Sequence, residues 1–143
     1  MSLNVEDLLY ALDNDNNTGV AGLTASKIKQ EKNDVLQKLQ LSKEELKELH
    51  SRLTDYRYVD EINCLQEGRY IRWIPLNVET AEIKLTKGAF LVRTTLNDDG
   101  VILICRNVRR QSVVVKFDNV LIFQKLSDQE QILIKALTLL DKK

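Results

Sequence analysis

Ala89-Phe90-Leu91-Val92-Arg93-Thr94-Thr95-Leu96, then Asn97-Asp98-Asp99-Gly100, then Val101-Ile102-Leu103-Ile104-Cys105-Arg106-Asn107 is the stretch that decides the fold. Two runs rich in aliphatic and β-branched residues flank a turn, and Asp99-Gly100 between apolar runs is a strong short-range hairpin signal. The alternation continues on both sides. Residues 69 to 75, 81 to 85, 112 to 117 and 120 to 125 read as further strands, parted by turn signals at Pro75 to Thr80, Lys87-Gly88, Arg109-Arg110-Gln111 and Asp118-Asn119. Such short strands and connections do not make a large sandwich. The expectation is an α+β chain built on a small antiparallel SH3-like or OB-like β-barrel, whose closure limits exposed edges.

Helical spacing brackets the strands. Upstream, Val5, Leu8, Leu9 and Leu12 predict a short amphipathic helix over 4–13, followed by the polar breaker Asp13-Asn14-Asp15-Asn16-Asn17-Thr18-Gly19. Asp13, Asp15 and Asn17 imitate the opening of a calcium loop, but Thr18 stands where that loop needs Gly and Thr24 where it needs Glu, so no metal site is expected. From Ile28 a seam alternating by four and three runs through Lys32, Val35, Leu39, Ser42, Leu46, Leu49 and Leu53. Ser42 and Glu45 form a capping box and Leu41 with Leu46 a hydrophobic staple, so a break near Ser42 is favoured over one continuous coiled-coil helix. The seam either packs on the barrel or dimerises. Downstream, Ser127 and Glu130 cap a closing helix with Leu133, Ala136, Leu137 and Leu140 facing the core. The expected organisation is a short amphipathic helix and polar linker over 1–20, a helical arm over 21–56, and the barrel with its C-terminal helix over 57–143.

With 143 residues, 43% apolar and 29% charged, the composition is that of one globular domain. No apolar run reaches the roughly 18 to 20 residues of a membrane span, and Met1 to Asp7 lacks the pattern of a secretory signal, so residence in cytosol or nucleus without a membrane partner is expected. Cys64 and Cys105 belong to no ligand cluster and read as reduced, buried thiols. Net charge is zero, yet residues 1–65 hold 12 acids and 8 Lys/Arg whereas 66–143 hold 9 acids and 13 Lys/Arg. That asymmetry suits head-to-tail association of copies, or contact of the basic half with nucleic acid.

Catalytic chemistry is hard to find. His50 is the single histidine and sits in a charged helical stretch, where a solvated surface position is expected. No phosphate loop, nucleophile elbow, zinc spacing or dinucleotide fingerprint occurs, and the neighbouring carboxylates Asp60-Glu61 and Asp98-Asp99 would diverge in extended chain. No catalytic residue and no cofactor are expected. The distinctive stretch is Gly68-Arg69-Tyr70-Ile71-Arg72-Trp73-Ile74, where alternation places Arg69, Ile71 and Trp73 on one face and Tyr70, Arg72 and Ile74 on the other. One face must be inward, and its Arg must reach an edge or pair with a carboxylate such as Asp60 or Glu61. The outward face would present Arg beside an aromatic ring, suited to stacking on a base or holding a phosphate. Candidate nucleic-acid contacts are therefore Arg69, Arg72, Trp73, Arg93, Arg109 and Arg110, with Arg106, Lys116, Lys84 and Lys87 as further basic positions. Buried Trp73 with ion-paired arginines is the competing reading.

The segments Tyr58-Val59-Asp60-Glu61-Ile62, Gly68 to Ile74, Leu85-Thr86-Lys87-Gly88, Ile104-Cys105-Arg106-Asn107 and Leu121 to Leu126 together resemble short proteins of the large nucleocytoplasmic DNA viruses. The likeness spans roughly residues 55 to 140. It implies a viral origin and an intracellular life cycle in the host cytoplasm (the viral factory), the nucleus or the virion, and transfers no catalytic residue. Expected is a non-enzymatic viral binding module whose barrel contacts nucleic acid or a nucleoprotein assembly while the arm makes a homo-oligomer. The alternative is a structural virion or scaffold protein binding only viral or host proteins.

Overall fold

The computed structural model describes residues 5–14, 23–76 and 83–141. Helices α1 (Val5–Asp13), α2 (Ala25–Gln37) and α3 (Lys43–Arg52) precede the strands β1 (Tyr56–Val59), β2 (Tyr70–Pro75), β3 (Ala89–Asn97), β4 (Gly100–Arg106), β5 (Ser112–Lys116) and β6 (Val120–Lys125). Helix α4 (Asp128–Asp141) closes the chain's described part. The six strands form one antiparallel sheet in the order β1-β6-β2-β3-β4-β5.

The architecture is α+β as expected, but the sheet is open. Strands β1 and β5 stand at its two edges, so no SH3-like or OB-like barrel closes. Of the strand expected at 81–85, residues 81 and 82 lie outside the described residues, and Ile83 to Gly88 is irregular chain running beside β2. There Thr86 N–H donates to Trp73 O at 2.9 Å, and Gly88, at φ +89°, comes so close that a Cβ would overlap the Ile71 carbonyl. Conversely, Tyr56-Arg57-Tyr58-Val59, not anticipated as a strand, pairs with β6 from Tyr56 opposite Lys125 to Val59 opposite Ile122.

Side chains paired across the ladder share a face, so the register sorts the sheet into two sides. The first side gathers Ile71, Trp73, Ala89, Leu91, Leu103, Cys105, Val115 and Ile122 into one buried cluster, lidded by Ile62, Leu65 and Phe117. The second side carries Ile74 and Phe123, onto which α2 and α3 deliver Val35, Leu36, Leu49 and Leu53. Full burial of a side chain such as Phe123 contributes roughly 2–3 kcal/mol. A third cluster joins α1, α2 and α4 through Ala11, Ile28, Leu126, Leu133 and Ile134.

The heptad seam is thus spent inside its own chain. Ile28, Lys32, Val35, Leu49 and Leu53 are all buried, and the helix breaks where the capping box predicts, with Glu45 N–H donating to Ser42 Oγ at 3.2 Å. Lys32, an odd residue for a seam, donates its Nζ to Leu53 O at 2.8 Å and so satisfies a carbonyl at the end of α3. Leu140, expected to face the core, is 65% exposed because α4 outruns its cover.

Arg69 enters β2 on the inward side and meets a carboxylate there, but the partner is Glu130, not Asp60 or Glu61. Its guanidinium donates to Glu130 Oε1, to Lys125 O and to Gln66 Oε1. Glu130 is 1% exposed and also accepts from Ser127 N–H at 2.9 Å, completing the cap of α4. One carboxylate therefore fastens α4 to the sheet and starts the helix. Removing one member of a buried pair leaves the other charge uncompensated, so Glu130→Ala should cost about 3–5 kcal/mol. Urea denaturation measures it, and a loss under about 1 kcal/mol would mean that the pair does not hold the helix to the sheet.

Candidate nucleic-acid interface

Helices α2 and α3 cover the second side of the sheet over β1, β6 and β2, through Tyr56, Tyr58, Phe123 and Ile74. Beyond β2 that side is largely exposed on β3, β4 and β5, with Ile102 the buried residue among them. The register places Phe90 opposite Arg106, Arg93 opposite Ile104, Ile104 opposite Val114 and Ile102 opposite Lys116. A bulge between Leu91 and Arg93 inserts Val92, which turns Arg93 onto the same side as Phe90. Phe90 is 45% exposed, Val92 44% and Val114 66%, a degree of apolar exposure that singles out this face.

The electrostatics are one-sided. Among residues 89–116 the only acids are Asp98 and Asp99, whereas Arg93, Arg106, Arg109, Arg110 and Lys116 are basic. Both acids sit in the β3–β4 turn, whose closing pair is Asn97 opposite Gly100, and Asp118 lies near that same tip, 3.4 Å from where a Gly100 Cβ would stand. Arg106, Arg109 and Arg110 lie at the other end. There an open groove of about 510 Å³ runs between Gly68, Phe90, Val92, Arg106, Val108 and Arg110. Phe90 is held edge-on by Tyr70, with centroids 4.9 Å apart, and Tyr70 is fixed in turn by its hydroxyl donating to Lys87 O at 2.7 Å.

The turn carrying the arginines is built around Asn107. Its Oδ1 accepts from the N–H groups of Arg109 and Gln111, both at 3.0 Å, and its own N–H donates to Gln111 O at 3.0 Å. Arg110 adopts φ +63°, a left-handed conformation that costs a non-glycine residue about 1–2 kcal/mol.

The sequence candidates part into two groups. Trp73 is 7% exposed in the core, and Arg69 is engaged with Glu130. Arg72, half-buried, donates Nε to Thr86 O at 2.9 Å and pins the chain crossing beside β2. Arg93, Arg109 and Arg110 are exposed, and they stand with Arg106 and Lys116 on or beside the uncovered strands. Phe90, Val92, Val108 and Val114 were not foreseen as surface. Strand alternation alone would have put Phe90 opposite in sense to Leu91, and that was the available signal.

Elsewhere, burial pushes the Cys105 thiol up to about 11, so it is no nucleophile at neutral pH. His50, expected as solvated, is half-buried with Nε2 3.1 Å from Asn33 Oδ1. Among the described residues no group of three or more His, Cys, Asp and Glu stands ready to hold a metal ion, and no helix is long and apolar enough to cross a membrane. No family model, curated protein or solved structure matches the chain.

Glycine relieves the left-handed strain, so Arg110→Gly should keep or raise stability, by up to about 1 kcal/mol. Thermal unfolding tests this, and a clear drop in melting temperature would show that the Arg110 side chain supports the fold.

Proposed function

We propose that the chain is a non-enzymatic binding module of viral origin, and that the uncovered face of β3, β4 and β5 takes nucleic acid or a nucleoprotein assembly. The observation that carries this reading is an exposed aromatic together with five cations on β3, β4, β5 and the β4–β5 turn, with both acids of residues 89–116 gathered at the β3–β4 tip. Arg106, Arg109 and Arg110 would track phosphates, and the exposed ring of Phe90 would accept a stacked base. A base reaches such a ring only when it is free of a duplex stack, which favours single strands. Arg93, Arg106, Arg109 and Arg110 are the proposed contacts. Arg69, Arg72 and Trp73 serve the same surface from behind, by holding β2 and its neighbours in place.

The likeness to short proteins of large nucleocytoplasmic DNA viruses supports the setting: the cytoplasmic viral factory, the nucleus or the particle. A second reading, a structural virion protein that binds only proteins, draws on the α1 stripe Val5, Leu9 and Leu12, which is 69%, 56% and 63% exposed. With the heptad seam buried, any homo-oligomer would form through such surfaces instead of a coiled coil.

Fluorescence anisotropy with a labelled single-stranded oligonucleotide separates the two. The expected result is binding at low salt that weakens steeply as salt rises, with the log–log slope falling by roughly 1.4 when Arg109→Ala and Arg110→Ala are combined. Phe90→Ala should weaken binding by about 1–3 kcal/mol at every salt concentration. No binding at low salt would remove the nucleic-acid reading and leave the protein-binding one.

A further inference from the structure

A second cavity, remote in sequence from the basic face, lies between α2, the end of α3 and the start of α4. Its volume is about 440 Å³. Lys29 and Lys32 of α2 and His50 of α3 line it on one side, and Ile28, Leu126 and Ile134 line it on the other. No carboxylate is among the lining residues. We propose that this cavity is a binding site for a small organic anion with an aliphatic body, of the class of a medium-chain carboxylate.

The polar side supplies the anion's partners. Lys32 is 5% exposed, and Leu53 O is the one acceptor its ammonium meets among the described residues. A lysine so deeply placed is costly to keep charged, and a bound anion would offset that cost. His50 spends Nε2 on Asn33, which leaves Nδ1 as its second ring nitrogen. Ser51 and Thr54 add hydroxyls at the border. Ligand and site would then be opposite in charge, since the cavity brings two lysine side chains together.

The apolar side sets the rest of the ligand. Ile28, Leu126 and Ile134 belong to the cluster that joins α1, α2 and α4, so an aliphatic chain would extend that core. The non-polar lining residues are aliphatic, with no Phe, Tyr or Trp among them. The proposal is independent of the reading of the β3–β5 face.

His50 is the single histidine of the chain and so a clean reporter. Its pKa is lowered by burial first, then by the charges of Lys32 and Lys29. Asp55 acts on Lys32 in the opposite sense, and the facing wall from Leu126 and Ile134 is uncharged. An anion bound beside the lysines reverses the electrostatic part and raises the His50 pKa.

Proton NMR of the His50 ring in the full chain, titrated with pH, tests the site with octanoate as probe and 1-octanol and acetate as controls. Octanoate is expected to raise the His50 pKa by roughly half a unit or more. Lys29→Ala, at an exposed position that leaves the core intact, should weaken octanoate binding several-fold, and Lys32→Met should abolish it in a chain that still folds. An unchanged His50 titration at saturating millimolar octanoate overturns the proposal. So does octanol binding as tightly as octanoate, which would remove the anion from recognition, or acetate binding as tightly, which would remove the chain.

Discussion

Strand β6 is the element on which the other parts converge. It lies between β1 and β2, and Ile122, Phe123 and Gln124 are each at most 1% exposed, so both its faces are sealed. The short helices α2 and α3 can cover only what lies above this strand and its two neighbours. A six-stranded sheet extends well past that cover. The bare side of β3, β4 and β5 is therefore a consequence of geometry: two helices of this length have no apolar surface left to seal the distal strands.

The buried polar groups follow the same economy of position. Gln124 faces the first side and makes two bonds to the chain after β1, accepting from Gln66 N–H at 2.9 Å and donating to Cys64 O at 3.2 Å. Glu130 answers Arg69 and caps α4 at once, and Lys32 answers the end of α3. Each joins elements that apolar contact alone would leave free to slide. This also explains why Arg69 is unavailable to a partner while Arg106 and Arg110, which lack such engagements in the core, stand beside an open groove.

Local signals in the sequence were reliable and non-local ones were not. The caps at Ser42 and Ser127 depend on residues three positions apart, and both stand in the structure with the hydrogen bonds their patterns imply. The β3–β4 hairpin was legible for the same reason. Strand β1 was not, because four residues containing Arg57 acquire strand character only by pairing with β6 far downstream. The Arg69 partner lies 61 residues away, beyond any local rule. Barrel closure is likewise a property of distant pairings, and here β1 and β5 stay apart at the two edges of the sheet. At the proposed interface, simple alternation puts Arg93 with Ala89 and Leu91 on the buried side. The bulge at Val92 reverses that, and no residue in the run announces it.

The central claim is that the side left bare by the helices is the working surface. Amide chemical-shift mapping of the isotope-labelled full chain with a short single-stranded oligonucleotide at low salt tests it most directly. The account predicts shifts concentrated at residues 90–93 and 104–110, fading as salt is added. Shifts centred on α1 and α4, or none at all, would contradict it.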